Sequence, residues 1–476
     1  MSRIILVSCD SHAGASLESY RPFLEAKYQG ALDEHIARDQ VNLDRYGLTR
    51  GYGEDELAVM DGEGAIRSGG RTGAQDPQRR LKEMDREGVV CEIVQEATAD
   101  DHSQRALPFA SRGYARYPAE LRAAGARAFN RWLANMMSET GGRVLGTAEC
   151  GPCVDMDAEI AELEWIAEHG FVAVQVPGRI VEPGLGVPRV YDREYFERFW
   201  AACVDLGLAL NIHAGWGGAQ SNQYQLVVSE LSEGFRFDEL TTRVTKLTME
   251  NTPSNYIQAL GLTQETFESG NSHQSREPLW QFMLGGVFDR HPALRFVLTE
   301  LRSDWVPATL AALDARVAKG GTPLKLKPSE YYARNVKLTP SFPHPAEIAM
   351  RHEIGVRQIL FGRDYPHNEG TWPNTWDWIR AAYAGVPEDE ARLMLGENAI
   401  EWFGLDRAKL AALAEKIGPR PEDLLGGEFV IDPSLIANFD KRGGFGKPAE
   451  QANTAAVVEG FDKDLAIAYP EYAGQA

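Results

Sequence analysis

Eight short apolar runs, each followed by a helical pattern, constrain most of what this chain can fold into. The first is Ile4-Ile5-Leu6-Val7, four apolar residues of which three are β-branched. The others lie at 89–94, 143–148, 171–176, 208–213, 294–300, 335–339 (the weakest) and 358–361. Helical patterns fall between them. One spans 76–88 and stops at Gly88. A long one spans 118–140 through Leu121, Phe129, Trp132, Leu133 and Met136. Others cover 155–169, 192–206 and 304–318, and more follow the eighth run to about 415. Strands alternating with helices make a parallel sheet, and eight of them close it into an α/β fold, the (β/α)8 or TIM barrel.

A barrel of this kind needs about 250 residues, and the chain has 476. The surplus falls into long insertions after strands 1 and 5, at 13–75 and 216–290, and an extended C-terminal arm. The barrel with its insertions is assigned to 1–415 and the arm to 416–476. The first insertion reads as irregular loop above the barrel mouth, because Gly51-Tyr52-Gly53 and Ser68-Gly69-Gly70-Arg71-Thr72-Gly73 are turn chemistry. The second reads as mainly helical. The arm is expected to pack on the barrel or on a neighbouring subunit, which makes a homodimer the expected assembly.

Composition narrows the partners. With 43% apolar residues the chain can build a large core. A net charge of −20 argues against a nucleic-acid-binding surface and against an anionic membrane, both of which need clustered Lys and Arg. No run approaches the 18 apolar residues of a membrane span, and no secretory pattern opens the sequence. Five cysteines in so long a chain are not a disulfide framework. The expectation is a cytoplasmic enzyme acting on a small molecule.

In such a barrel, reactive groups sit just past the strand C-termini. The first strand runs into Asp10-Ser11-His12, and residues i and i+2 share a face. The fifth ends in His213, the sixth in Glu300 with Arg302 and Asp304 behind it, and the eighth is followed by Asp364. Read singly, Asp10 is a turn cap, His213 a satisfied core histidine and Asp364 a turn residue before Tyr365-Pro366. Read together, Asp10, His12, His213 and Asp364 form an N2O2 donor set for one divalent ion, Zn2+ or Mn2+. A bound water would take the remaining place, with its pKa lowered toward about 7.

Four stretches carry a resemblance. They are Asp10-x-His12, Asn211-Ile212-His213-Ala214-Gly215, the 288–300 run Phe-Asp-Arg-His-Pro-Ala-Leu-Arg-Phe-Val-Leu-Thr-Glu, and Phe361-Gly362-Arg363-Asp364-Tyr365-Pro366-His367 with the Asn-Glu-Gly-Thr-Trp-Pro that follows. The chain resembles the amidohydrolase-related family, the branch of the amidohydrolase superfamily that includes aminocarboxymuconate-semialdehyde and resorcylate decarboxylases. The resemblance spans roughly 1–12 and 78–405. It implies a metal-dependent barrel in which Asp10 and His12 are first-strand ligands and His213 the fifth-strand ligand. Asp364 is then the acid that binds metal or shuttles a proton. Zinc or manganese serves in the family, whose activities include decarboxylation and hydrolysis.

One position departs from the decarboxylases, which end the sixth strand in a histidine that acts on the substrate carboxylate. Glu300 stands there. A carboxylate repels an anionic substrate group unless it is protonated or paired, and Arg302 is the candidate partner. As a general base beside an activated water Glu300 fits hydrolysis of an amide, lactone or similar carbonyl compound. The alternative is a metal-dependent decarboxylase of an aromatic or unsaturated acid, with His273 borrowed from the second insertion. Candidate catalytic residues are therefore Asp364, Glu300 and His273. Arg179, Arg302, Trp216 and His367 are candidates for holding substrate. Each has a plainer reading: Arg179 on the surface, Trp216 and Trp305 in an aromatic core, and His367 with Glu369 bracing their loop. His102 is a further candidate at the mouth. Cys150-Gly151-Pro152-Cys153 matches a redox motif in text, but a barrel surrounds it and the plain reading is two reduced thiols.

Overall fold

A computed structural model describes residues 2–46, 52–96, 107, 109–110, 117–177, 195–214, 275–367, 370–442 and 454–472. Its centre is a parallel sheet. The strands are β1 (Leu6–Ser8), β2 (Val89–Glu96), β3 (Val144–Ala148), β4 (Phe171–Gln175), β5 (Ala209–His213), β6 (Phe296–Thr299) and β7 (Val336–Thr339). They pair in that order, each parallel to the next. A two-residue strand, His12–Ala13, continues β1 along the far end of β2.

The expected eighth strand is an extended segment held by single bridges, not a regular strand. On one side Leu360 N–H donates to Leu338 O at 2.8 Å, and Leu338 N–H to Gln358 O at 2.8 Å. On the other, Cys9 N–H donates to Phe361 O at 2.7 Å and His12 N–H to Tyr365 O at 2.6 Å. These bonds close the barrel. The chain adopts the TIM-barrel fold expected from its alternation.

Helix boundaries follow local chemistry. The Pro77–Arg86 helix starts at Asp76, whose carboxylate accepts from Gln78 N–H and Arg79 N–H, with Pro77 at the first helical position. Gly88, at φ +69°, then reverses the chain into β2. Asp155 caps the Met156–Glu168 helix in the same way.

The barrel interior is layered. Ile93, Ala173, Ala209 and Val297 form an apolar layer, plugged from below by Ala399, Ile400, Phe403 and Leu410. Two residues further along each strand, on the same face, lies a buried polar layer. There Gln95 Oε1 accepts from Asn211 Nδ2 at 2.7 Å and Gln175 Nε2 at 3.2 Å, and Thr299 Oγ1 donates to Asn211 Oδ1 at 2.7 Å. Beyond it stand the strand-end histidines and acids.

Two segments differ from expectation. The stretch 13–75 is largely helical: Leu17–Phe23, Ala26–Tyr28, Gln29–Tyr46, Glu54–Met60 and Gly70–Ala74 are all helical turns or helices. Its glycine-rich end is not free loop but a seat for the closing segment. Tyr365 Oη donates to Gly70 O at 2.6 Å, and a Cβ on Gly73 would lie 2.1 Å from that hydroxyl. The stretch after 418 is also not extended. It carries the helices Pro433–Arg442 and Thr454–Ala468. The second buries Val457, Phe461 and Leu465 and is tied to the barrel by Arg316–Asp462 (2.6 Å) and Gln281–Asp464 (3.0 Å). Amphipathic spacing supplied an apolar face that the barrel's own helices cover. The arm thus packs on its own barrel, one of the two places expected for it.

Candidate metal centre

Asp10, His12, His213, Glu300 and Asp364 all stand at the same end of the barrel, past β1, β5, β6 and the closing segment. Backbone bonds couple the first and last of these. Asp364 N–H donates to Asp10 O at 2.9 Å, and Ser11 bridges to Tyr365. Glu300 and Asp364 both have left-handed backbone, at φ +57° and +54°. For non-glycine residues that conformation costs about 1–3 kcal/mol and concentrates at functional sites.

The side chains converge. His12 Nε2 lies 3.5 Å from Asp10 Oδ1 and 3.2 Å from Asp364 Oδ1. His213 Nε2 lies 3.6 Å from Asp10 Oδ1 and 3.0 Å from Glu300 Oε2. Two ligands on bonds of about 2.1 Å are separated by about 3.0 Å at a right angle and about 3.4 Å in a tetrahedron. The observed spacings bracket those values.

The donor chemistry points the same way. His12 Nδ1 sits 2.8 Å from Glu96 O, and His213 Nδ1 sits 3.0 Å from Ala214 O. A carbonyl only accepts, so both Nδ1 atoms carry protons, and in a neutral ring both Nε2 atoms present lone pairs. Those lone pairs face carboxylate oxygens, which also only accept. Asp10 Oδ1 and Oδ2, His12 Nε2, His213 Nε2 and both Asp364 oxygens are buried and have no hydrogen-bond partner. Acceptors converging on acceptors in a dry site need a cation or protons between them. The residues fit a divalent ion.

A family model described as Amidohydrolase matches residues 78–405. The chain belongs to the amidohydrolase family. A curated relative, gamma-resorcylate decarboxylase from Rhodococcus jostii (strain RHA1), is 26% identical over 390 residues, 79% of this chain and 98% of that one. Among solved structures, 5-carboxyvanillate decarboxylase from Sphingomonas paucimobilis is similar at 21% identity and a TM-score of 0.52, covering 85% of this chain and 100% of its own. Dihydroxybenzoic acid decarboxylase from Polaromonas sp. JS666, with bound manganese and 2-nitroresorcinol, is similar at 19% identity and a TM-score of 0.51, covering 86% and 99%. At these identities the structural likenesses establish the fold.

Electrostatics in this amidohydrolase describe how the cluster holds itself without a cation. Burial, helped by the carboxylates of Asp364 and Glu300, pushes the Asp10 carboxyl up to about 8. His213 is pushed up to about 10, because Glu300 and Asp10 outweigh the burial that opposes its charge. His12 is lowered to about 4 by burial and by its neighbour His367. Asp364 is held well below the ordinary carboxylate range, since His367 and His12 outweigh its burial.

The structure also places the other expected residues. His367 is in the cluster: its Nδ1 lies 2.9 Å from Asp364 Oδ1 and its ring stacks on His12 at 3.8 Å. Arg302 was expected to pair with Glu300. It pairs with Asp304 at 3.2 Å instead, and Glu300 turns to His213. The intervening backbone is left-handed at Glu300, which sends the two side chains in different directions. Trp305 is fully buried with the Arg276 guanidinium 4.4 Å over its ring, so it is core and not pocket wall. Arg179, Trp216, His273, His102 and Glu369 lie outside the described residues. No described helix is long and apolar enough to cross a membrane.

Sequence reasoning missed what lies behind the ligands. Arg363, directly before Asp364, is fully buried and pairs with Glu92 at 2.5 Å and with Glu87. Glu92 also pairs with Arg80 at 2.7 Å and accepts from Ser11 Oγ at 3.2 Å. Arg80 Nη1 donates to His12 O at 2.8 Å. Both guanidiniums lie over the Tyr365 ring, at 5.0 and 4.6 Å. Two cations and two anions thus brace the backbone around Ser11, His12 and Asp364. The available signal was Glu92 inside the apolar run Val89-Val90-Cys91-Glu92-Ile93-Val94.

The Cys150-Gly-Pro-Cys153 loop lies away from this cluster, between β3 and the Met156–Glu168 helix. The Cys150 thiol is pushed well above its ordinary value by its contact with Cys153 and by burial. Cys153 is raised as well, by burial and by Glu159 against the opposing pull of Cys150. A redox nucleophile needs the opposite.

Proposed function

We propose that this enzyme is a metal-dependent, non-oxidative decarboxylase of a hydroxylated aromatic acid. The observation that carries the reading is the gathering of buried donor atoms at the strand ends, in one group of Asp10, His12 and His213 and an adjoining group of His12, Asp364 and His367 that shares His12. The substrate class is supported by the relative named gamma-resorcylate decarboxylase, matched over 98% of its length. That relative favours decarboxylation over the hydrolysis expected from Glu300 alone. Zn2+ or Mn2+ is the proposed ion, manganese being bound in the dihydroxybenzoic acid decarboxylase. Such an ion would supply Lewis-acid chelation of a carboxylate and its ortho hydroxyl.

The chain's own residues do the rest. His12 and His213 are locked by their Nδ1 bonds with Nε2 toward the ion site. Asp364, which His367 and His12 hold well below the ordinary carboxylate range, would take a proton from His367, 2.9 Å away, only in passing it to the ring carbon that bears the carboxylate. The carbon–carbon bond then breaks, carbon dioxide leaves, and the electron pair restores the aromatic ring. His367 resupplies the proton to Asp364. The buried setting keeps bulk water from competing for that proton.

Hydrolysis stays as the second reading on one observation: Glu300, not an imidazole, ends β6 and lies 3.0 Å from His213. The deciding experiment offers metal-loaded protein 2,6-dihydroxybenzoate, 2,3-dihydroxybenzoate and 5-carboxyvanillate in D2O, alongside a panel of lactones and amides in H2 18O. Carbon dioxide release with one ring deuterium supports decarboxylation. Heavy oxygen in a lactone or amide product, with no carbon dioxide from any acid, overturns it.

A further inference from the structure

A second cluster of soft donors sits on the outside of the barrel. Cys150 Sγ and Cys153 Sγ lie 3.6 Å apart and are not bonded to each other. Glu159, on the first turns of the Met156–Glu168 helix, brings its carboxylate to them, so that one donor atom from each of the three residues lies within 4.8 Å of the others. The loop is shaped for this meeting. Cys153 has left-handed backbone at φ +52°, which folds its side chain back over the loop toward Cys150. Gly151 leaves room for the acid: a Cβ there would lie 2.2 Å from Glu159 Oε1.

The sulfur spacing excludes a disulfide: the two thiols share a hydrogen bond, at a distance that also suits two sulfurs on one ion. A disulfide needs about 2.05 Å. Two thiolates on a tetrahedral zinc-type ion, with bonds of about 2.3 Å, are separated by about 3.8 Å. The observed 3.6 Å sits near the second value. The donors are buried except on the side of Cys150, which is partly exposed and offers an entry and a place for water. We propose that Cys150, Cys153 and Glu159 form a second cation site, separate from the barrel centre, that takes a thiophilic divalent ion of the zinc class. It ties the loop after β3 to the following helix.

The two sites are distinguishable because, among the described residues, neither donor group at the barrel centre includes a cysteine. The test titrates full-length, reduced, metal-stripped protein with Co2+ and follows the sulfur-to-cobalt charge-transfer absorption in the near ultraviolet. One equivalent of cobalt is expected to produce that band in the parent protein. Cys150→Ser and Cys153→Ser are each expected to abolish it while the barrel site still loads cobalt. Glu159→Gln is expected to weaken the binding by at least the roughly tenfold that losing a supporting partner costs at metal sites. Absence of the band in reduced protein overturns the proposal, as does a band that survives both serine variants.

Discussion

Replacing Arg363 with methionine tests whether the buried ion network holds the candidate metal centre. Its guanidinium is fully buried and donates to Glu92 at 2.8 and 2.5 Å and to Glu87. Methionine matches much of its volume but leaves a charge without a partner. Breaking a buried pair by removing one member costs about 3–5 kcal/mol. Here the lower end applies, because Glu92 keeps Arg80 at 2.7 Å, and Glu87 loses its cation but still accepts from Thr375 N–H at 2.8 Å and Thr375 Oγ1 at 2.9 Å. Burial already raises the Glu87 carboxyl, so protonation relieves part of the cost. At ~2.1 cal/mol/K per residue, 476 residues give an unfolding entropy of about 1 kcal/mol/K, so a loss of about 3 kcal/mol lowers Tm by about 3 °C. Adding Glu87→Gln to Arg363→Met is expected to recover part of that loss. Calorimetry reads Tm, and equilibrium dialysis reads the affinity for Mn2+. The affinity is expected to fall about tenfold or more, since Arg363 precedes Asp364 and shares Glu92 with Ser11, between the first-strand ligands. A loss under about 1 kcal/mol with unchanged affinity would show that the network neither stabilises nor positions.

Other consequences follow from the same geometry. His12→Ala and His213→Ala each remove one lone pair from the centre and should leave less than about a tenth of the parent metal content, measured by elemental analysis after dialysis. Asp10 binds its proton up to about 8 and His213 up to about 10, so near pH 7 an entering cation must displace both. Affinity should therefore climb with pH up to about 10, with about two protons released per ion below about pH 8 and about one between 8 and 10; a pH-independent titration would contradict those protonation states. Gly362→Ala puts a methyl 2.8 Å from Asp10 Cβ and 2.5 Å from Pro340 O, an overpacking that costs about 1–3 kcal/mol and shifts Asp10. Urea unfolding and Mn2+ affinity should both report it.

The barrel was legible because burial on both faces writes strands as apolar runs and helices as 3.6-residue patterns between them. The candidate ligand positions stood out in the sequence for a related reason: Asp10, His213 and Asp364 are polar residues interrupting or ending those runs. What stayed hidden depends on pairing across the fold. Nothing near Arg363 in sequence announces that its partners are Glu87 and Glu92, 276 and 271 positions away. The eighth strand was legible only as a run, because its backbone bonds come singly from Leu338, Cys9 and His12. The glycines of 69–73 read as loop, since their reason is the volume of Tyr365 and Trp372 packed against them. Helices in 13–75 and after 433 were missed where their apolar faces are short and interrupted by charge.

Glu300 decides between the two chemistries, and its present partner shows how. It meets His213 Nε2 at 3.0 Å, the same atom that the candidate metal centre needs. An ion bound at that nitrogen takes Glu300's partner away. The carboxylate then either joins the ion, accepts a substrate hydroxyl, or takes a proton from water. Only the last makes it a general base, a role worth about 10²–10⁴ in rate. Glu300→Gln keeps the shape and a hydrogen-bond acceptor but removes the basicity. For a decarboxylase whose proton comes through Asp364 and His367, this variant should retain kcat within about tenfold and should still bind Mn2+, because the rate-bearing proton path does not pass through residue 300. A loss of kcat of about a hundredfold or more with full metal occupancy would place Glu300 in the rate-bearing proton path and overturn the assignment of that path to Asp364 and His367 alone.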